Sequence, residues 1–256
     1  MIDPRAIIAP DAILGEGVAV GAYTIIGAGV RIGAGSWIGP HAVINGPTTL
    51  GRENKVFQFA SVGDAPQDKK YNGEPTRLEV GDRNVFREFC SVNRGTVSGR
   101  GVTKIGDENL FMAYSHVAHD CIVGSNCVMS NCTALAGHVE LGDWVILSGY
   151  AGIHQFCKVG SHSFLANNAA VTRDVPPYLL VAGTPAEPKG VNSEGLKRRG
   201  FGPAQITNIR NAYRLLYRSG LKLAAATEQL QALAADQPEL LPFVQFLAAS
   251  ERSIVR

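Results

Sequence analysis

Aliphatic residues recur at every sixth position from the start of the chain: Ile2, Ile8, Leu14, Val20, Ile26, Ile32, Ile38, Ile44, Leu50, Val56 and Val62 follow without a slip. The register is lost, returns at Val80, Phe86 and Val92, and is lost again. It then runs from Ile105 through Val117, Val123, Leu135, Leu141, Ile153, Val159 and Leu165 to Val171. A fixed period of this kind marks a repeat architecture. Glycine often follows the aliphatic residue, as at Gly15, Gly27, Gly39 and Gly124, so each unit reads as a short strand plus a tight corner. Two positions earlier stands a small residue (Val18, Thr24, Ser36, Ala42, Ala60, Thr133, Ala151), and both are expected to point inward. Six-residue sides that turn at each corner close most compactly as a triangle, with about eighteen residues per coil. The pattern predicts a β-solenoid, a parallel β-helix.

The two breaks, Gly63 to Glu79 and Arg94 to Lys104, read as loop insertions, and loops on a rigid scaffold commonly carry function. Hexads stop after Val175-Pro176-Pro177. Residues 1–177 are therefore expected to form the solenoid, 178–200, with Pro185, Pro188 and Gly190, a linker, and 201–256 a helical domain. Gly202-Pro203 opens a helix whose Ile206, Ile209, Tyr213 and Leu216 share a face, and Gly220 ends it. Leu221–Ala235 and Pro238–Ala249 read as two more. Their expected role is to pack together and cover the end or flank of a solenoid that would otherwise expose strand edges.

Composition changes this picture little. At 256 residues, 45% hydrophobic and 18% charged, the chain is ordinary for a globular protein. A formal charge of +2 gives no case for nucleic acid, and no DNA-reading motif shows. The N-terminus places acid and proline among its first residues, unlike a signal peptide, and no transmembrane run follows. Five cysteines without metal-type spacing suit a reducing compartment, so a cytoplasmic location is expected. Cys90, Cys121, Cys127 and Cys157 fall on the small inward position, where a thiol is a compact apolar filler. Cys132 falls off it and has no expected role.

Candidate chemistry gathers in Ser115-His116-Val117-Ala118-His119-Asp120-Cys121. With about eighteen residues per coil, residues eighteen apart lie on adjacent coils about 4.8 Å apart. His119, Gly137 and Gln155 therefore form one column, with His138 and His154 one position to either side. Four of the six histidines thus collect on one edge, whereas His41 and His162 read as isolated surface residues. Two chemistries suit the cluster. Stacked histidines can bind zinc, as in the similar hexapeptide-repeat carbonic anhydrases. Alternatively, one neutral imidazole acts as general base, oriented by a carboxylate such as Asp120.

The hexads, followed by GEPTR at Gly73–Arg77, HVAHDC at His116–Cys121, LAGHV at Leu135–Val139, HQF at His154–Phe156 and EGLKRRGF at Glu194–Phe201, closely resemble the UDP-N-acetylglucosamine O-acyltransferases that begin lipid A synthesis, and hence lipopolysaccharide. The resemblance spans the chain. It implies a left-handed β-helix, an exception to the usual right-handed crossover, and a homotrimer with sites in clefts between subunits. It also implies transfer of an (R)-3-hydroxyacyl group from the phosphopantetheine thioester of acyl carrier protein to the 3-hydroxyl of UDP-N-acetylglucosamine. No metal is required, and no cofactor beyond the carrier's own phosphopantetheine.

Residue by residue, His119 matches the family's base, with Asp120 as its orienter, and Gly137 matches the backbone donor to the thioester oxyanion. Asp68 and Lys70 match sugar and nucleotide contacts. His138, His154 and Gln155 match further substrate contacts, and His116 is assigned to binding beside them. Lys197, Arg198 and Arg199 form a basic run suited to pyrophosphate, pantetheine phosphate or the acidic carrier. Asn167 stands where the family measures acyl length; it is not glycine, and a short groove for about ten to twelve carbons is expected. Asn93, in VNRGT, departs from the familiar histidine and cannot transfer a proton, which leaves a UDP-sugar 3-amino group open as acceptor. The related N-acyltransferase normally carries a domain before its hexads, whereas here they begin at Ile2.

Overall fold

The computed structural model describes residues 1–256. Strands of two to four residues follow one another from Ile7–Ile8 to Ala170–Val171. Every third strand pairs with the one a coil earlier, so the strands assemble into sheets of nine, eight and ten members that form the three sides of a tube. The solenoid pairs are all parallel. Ala134 faces Gly152, and Gly152 faces Ala170, eighteen residues apart. Ser61 pairs with Ser91 and Ser91 with His116, at spacings of thirty and twenty-five residues. The surplus leaves as the two insertions, and the ladder takes up one register shift, between Val62 and Asp64.

The repeated aliphatic residues line the interior: Ile26, Ile44, Val62, Leu135 and Leu165 are fully buried, and Phe86 stacks on Phe111 at 4.8 Å. Ile2, by contrast, is 48% exposed, because the first coil has a neighbour on one side only. Corners turn in the left-handed region even without glycine. Tyr23, His41, Phe59, Phe89 and Tyr114 hold φ between 56° and 64°. That conformation costs about 1–2 kcal/mol per residue. Their rings stack in one ladder at 4.8 to 5.6 Å, which offsets part of it. At a second corner buried Asn54, Asn84 and Asn109 hydrogen-bond one above the other and satisfy the turn backbone.

Residues 178–200, expected to be a linker, carry regular structure. Leu179–Ala182 joins the ten-stranded sheet beside Phe164–Leu165, Glu187–Val191 pairs with it antiparallel, and helix α1 spans Ser193–Arg198. Helices α2 (Pro203–Tyr217), α3 (Leu223–Ala234) and α4 (Leu241–Ala249) follow. The Gln205 side chain accepts from Gly202 N–H at 2.9 Å and Pro203 occupies the first turn, which fixes the start of α2. Helix α4 lies along the flank of the later coils, where Pro242, Phe246 and Ala249 face Leu141 and Val159. No helix is long and apolar enough to cross a membrane.

Candidate active site

Strand His116–Val117 runs into the corner His119-Asp120, and the next two coils bring Gly137-His138 and Gln155-Phe156 to the same corner. His138 N–H donates to His119 O at 3.0 Å and Phe156 N–H to Gly137 O at 3.1 Å, so the column of His119, Gly137 and Gln155 exists as the coil length requires.

Asp120 is fully buried at this corner. The second insertion folds over it: Arg100 N–H donates to Oδ1 at 2.8 Å, Thr96 N–H to Oδ2 at 3.0 Å and the Thr96 hydroxyl to Oδ2 at 2.6 Å. Gly99 is confined here, since a Cβ would stand 2.5 Å from the carboxylate. Burial alone would push the Asp120 carboxyl up, but the bonds from His119, Thr96 and Arg100 together outweigh it and bring it down to about 2. The fourth donor is His119, whose Nδ1 lies 2.9 Å from Oδ2. An ionised carboxylate only accepts, so in the neutral ring the proton sits on Nδ1 and Nε2 carries the lone pair. Gly137 packs under that ring; a Cβ there would sit 2.6 Å from Cε1 and 2.8 Å from Nε2. The Gly137 N–H donates to no backbone carbonyl.

His119 opens on a cavity of ≈ 640 Å³ lined also by His138 and Gln155, by Ser98 of the second insertion and by Asp68 and Lys70 of the first. Arg94 braces the first insertion, donating to Gly63 O at 2.6 Å and Tyr71 Oη at 3.1 Å. Asn93 is 3% exposed and donates to Ala65 O at 2.9 Å; it stands behind this loop, not in the cleft lining. His138 lies edge-on to His119 at 5.1 Å and flat on Phe156 at 4.4 Å. Burial lowers its pKa, with Asp120 opposing.

The four clustered histidines resolve into two pairs. His116 and His154 face not this cleft but an apolar depression of ≈ 480 Å³ on the adjoining sheet, with Ala118, Ala134 and Ala170. His116 meets the Ser91 hydroxyl at 2.7 Å, and burial, then the neighbouring His119, lowers its pKa. Asn167 is exposed at a different corner, where Asn168 N–H donates to Gly149 O. The basic run lies at the third. Lys197 pairs with Glu194 at 2.7 Å, and Arg199 rests over the Trp144 ring and meets His162 at 3.3 Å. His162 is thus no isolated surface residue. It stacks between Trp144 and Tyr178, and burial, helped by Arg199, takes it down to about 4. His41 likewise stacks between Tyr23 and Phe59.

His119, Asp120 and His138 bring potential metal-binding atoms within 4.8 Å of one another. Both Asp120 oxygens, however, already face N–H and O–H donors, which a cation would have to displace. The donor set fits an oriented imidazole. Thr96, Ser98, Arg100 and Tyr71 carry no local signal in the sequence, and only the breaks in the hexad register pointed to their segments; Ser91, within the hexads, had no signal at all.

Comparison with known proteins identifies the family of the chain. The profile described as Udp N-acetylglucosamine O-acyltransferase, Domain 2, matches residues 174–255, and that of the bacterial transferase hexapeptide (six repeats) matches 103–137. Among solved structures, LpxA of Acinetobacter baumannii is 45% identical over 100% of this chain and 99% of its own, with TM-score 0.97. UDP-N-acetylglucosamine acyltransferase of Francisella novicida is 40% identical over 100% and 94%, TM-score 0.98. UDP-N-acetylglucosamine O-acyltransferase of Moraxella catarrhalis is 39% identical over 100% and 99%, TM-score 0.98. By full-length identity, by a left-handed β-helix of hexads and by its helical C-terminus, the chain belongs to the UDP-N-acetylglucosamine O-acyltransferase family, and it is an acyltransferase.

Proposed function

We propose that the chain transfers an (R)-3-hydroxyacyl group from acyl carrier protein to the 3-hydroxyl of UDP-N-acetylglucosamine in the cytoplasm, as the first step of lipid A synthesis. The observation that carries this reading is the imidazole of His119, held by Asp120 through Nδ1 and presenting an unprotonated Nε2 to a cleft large enough for a sugar nucleotide. A sugar hydroxyl is too weak an acid to attack unaided. His119 Nε2 removes its proton as the oxygen bonds to the thioester carbon, a contribution of about 10²- to 10⁴-fold. The oxyanion that forms is met by the free Gly137 N–H. Collapse breaks the carbon–sulfur bond, and the imidazolium, stabilised by Asp120, returns its proton to the leaving thiolate. The products are the sugar ester and the carrier's free thiol; no other cofactor enters.

Asp68, Lys70, His138 and Gln155 are the proposed sugar and nucleotide contacts within this cleft, with Asn93 supporting the loop. His116 and His154 border the apolar depression that would take the start of the acyl chain. Lys197, Arg198 and Arg199 stand a full side of the triangle away from His119, roughly 15–20 Å. They can serve this cleft only from a neighbouring copy, which supports the homotrimer. Mass analysis of the product from carrier thioesters with UDP-N-acetylglucosamine, or with its 3-amino analogue, tests the reading. An ester on the first acceptor is expected; an amide on the second, with no ester on the first, overturns it.

A further inference from the structure

The last seven residues of the chain run back along the final coil. Asp174, fully buried, organises them: its Oδ2 accepts from Ser250 Oγ at 2.7 Å and its Oδ1 from Lys158 N–H at 2.8 Å. Its backbone N–H donates to Ser253 O and its carbonyl accepts from Val255 N–H at 2.8 Å, while Ile254 and Val255 are buried. This seats Arg252 at the third coil of the catalytic corner. There its Nη1 donates to Gln155 O and lies 3.3 Å from His154 Nδ1.

That placement settles a conflict within His154. Its Nδ1 also stands 3.2 Å from Gln155 O, an acceptor, and left alone it would carry the proton and donate there. A guanidinium can only donate. Gln155 O has two lone pairs and could accept from both, but a proton on Nδ1 would be set against the Arg252 donor 3.3 Å away, which favours the lone pair on Nδ1 and the proton on Nε2.

We propose that Arg252, delivered by the C-terminal segment, is a positioning residue that fixes His154 in the Nε2–H tautomer and pins the Gln155 backbone at the cleft edge. His154 then offers a hydrogen-bond donor, not an acceptor, to the reacting substrate; this consequence rests on the function proposed above, whereas the tautomer does not.

The test uses the full-length protein with ring-labelled histidine, whose ring carbon shifts distinguish the two neutral tautomers, with the His154 signal assigned by His154→Gln. Wild type should show Nε2–H, Arg252→Ala should convert it to Nδ1–H, and Arg252→Lys, which keeps a cationic donor, should retain Nε2–H. In transfer assays Arg252→Ala should lose about tenfold in kcat/KM through misplacement of the corner, with recovery in Arg252→Lys and an unchanged melting temperature. A wild-type Nδ1–H signal, an unaltered tautomer in Arg252→Ala, or kcat/KM within twofold of wild type would each overturn the proposal. Should wild type transfer no acyl group at all, the functional reading fails while the spectra still decide the tautomer.

Discussion

Asp120→Asn tests the core of the proposed chemistry, because the structure leaves the new amide only two poses. If its nitrogen replaces Oδ1, it faces the N–H of Arg100, a donor against a donor inside the protein. The hydrogen bond is lost and a buried donor is stranded, at a cost of about 1–3 kcal/mol. If the nitrogen replaces Oδ2, the Thr96 hydroxyl can rotate to accept, and the backbone bonds to Oδ1 survive. The Thr96 N–H gives up its bond to Oδ2 but keeps the one to Oδ1 at 3.2 Å, and His119 Nδ1 accepts once its proton moves to Nε2. The second pose is therefore favoured by about 2 kcal/mol, or about thirtyfold. It is also the pose in which the base is blocked. With the carboxylate's support of the imidazolium gone as well, kcat should fall by about 10²- to 10³-fold, short of the loss on deleting the base. Thr96→Val, which keeps the carboxylate, should lose no more than about tenfold. The assay is steady-state transfer on protein checked for fold by circular dichroism. Asp120→Asn within tenfold of wild type would refute the tautomer argument.

His119→Ala should fold and assemble normally yet lose nearly all transfer, and near-normal turnover would remove His119 as base. Arg198→Gln should raise KM for a phosphate-bearing substrate with little change in kcat; Arg198 is the cleaner probe because Arg199 also packs on Trp144 and His162. Asp120 ties stability to acidity. Held at about 2, below its ordinary 3.8, the carboxyl contributes about 2 kcal/mol that is complete above about pH 4 and disappears as pH falls through 2, so urea unfolding of Asp120→Asn should show a shallower acid limb. Asn167→Gly should shift the acyl preference toward longer chains in competition among carrier thioesters, and a preference for about fourteen carbons in the unaltered protein would remove Asn167 as the ruler.

The solenoid was legible because its cause is local. Each six-residue side repeats the same decision, an aliphatic residue inward and a tight corner, and the sum leaves one closed form. The histidine column followed by arithmetic from the coil length. What stayed hidden depends on how chain far apart in sequence returns. Thr96 and Arg100 hold Asp120 from a segment whose sequence, TVSGR, reads as a polar loop, and Arg252 reaches Gln155 from the far end of the chain. The division of four histidines into two pairs was hidden for another reason. Residue 116 lies in a strand and 154 directly follows one, whereas 119 and 138 lie at the corner, and a one-position difference decides which surface a side chain meets.

The same repeat bears on why glycine stands at 137. The coil rise of about 4.8 Å lets side chains on successive turns stack face to face, as the aromatic ladder does. Here the His119 ring lies directly on the next coil, with Nε2 only 2.8 Å from where a Cβ would be. Removing the side chain does two things at once: it admits the imidazole, and it leaves the Gly137 N–H beside the ring, donating to no carbonyl. In the proposed reaction the attacking oxygen must meet the base while the carbonyl oxygen meets a donor, and both oxygens are bonded to one carbon. The base and the donor therefore have to sit within a few ångströms of each other. Two neighbouring coils of a β-helix supply that separation, with the second insertion fixing the imidazole through Asp120, provided the upper coil carries no side chain there. Gly137→Ala separates this account from a purely conformational one, since it should displace His119 and lower kcat while leaving the coil register and the KM of either substrate nearly unchanged.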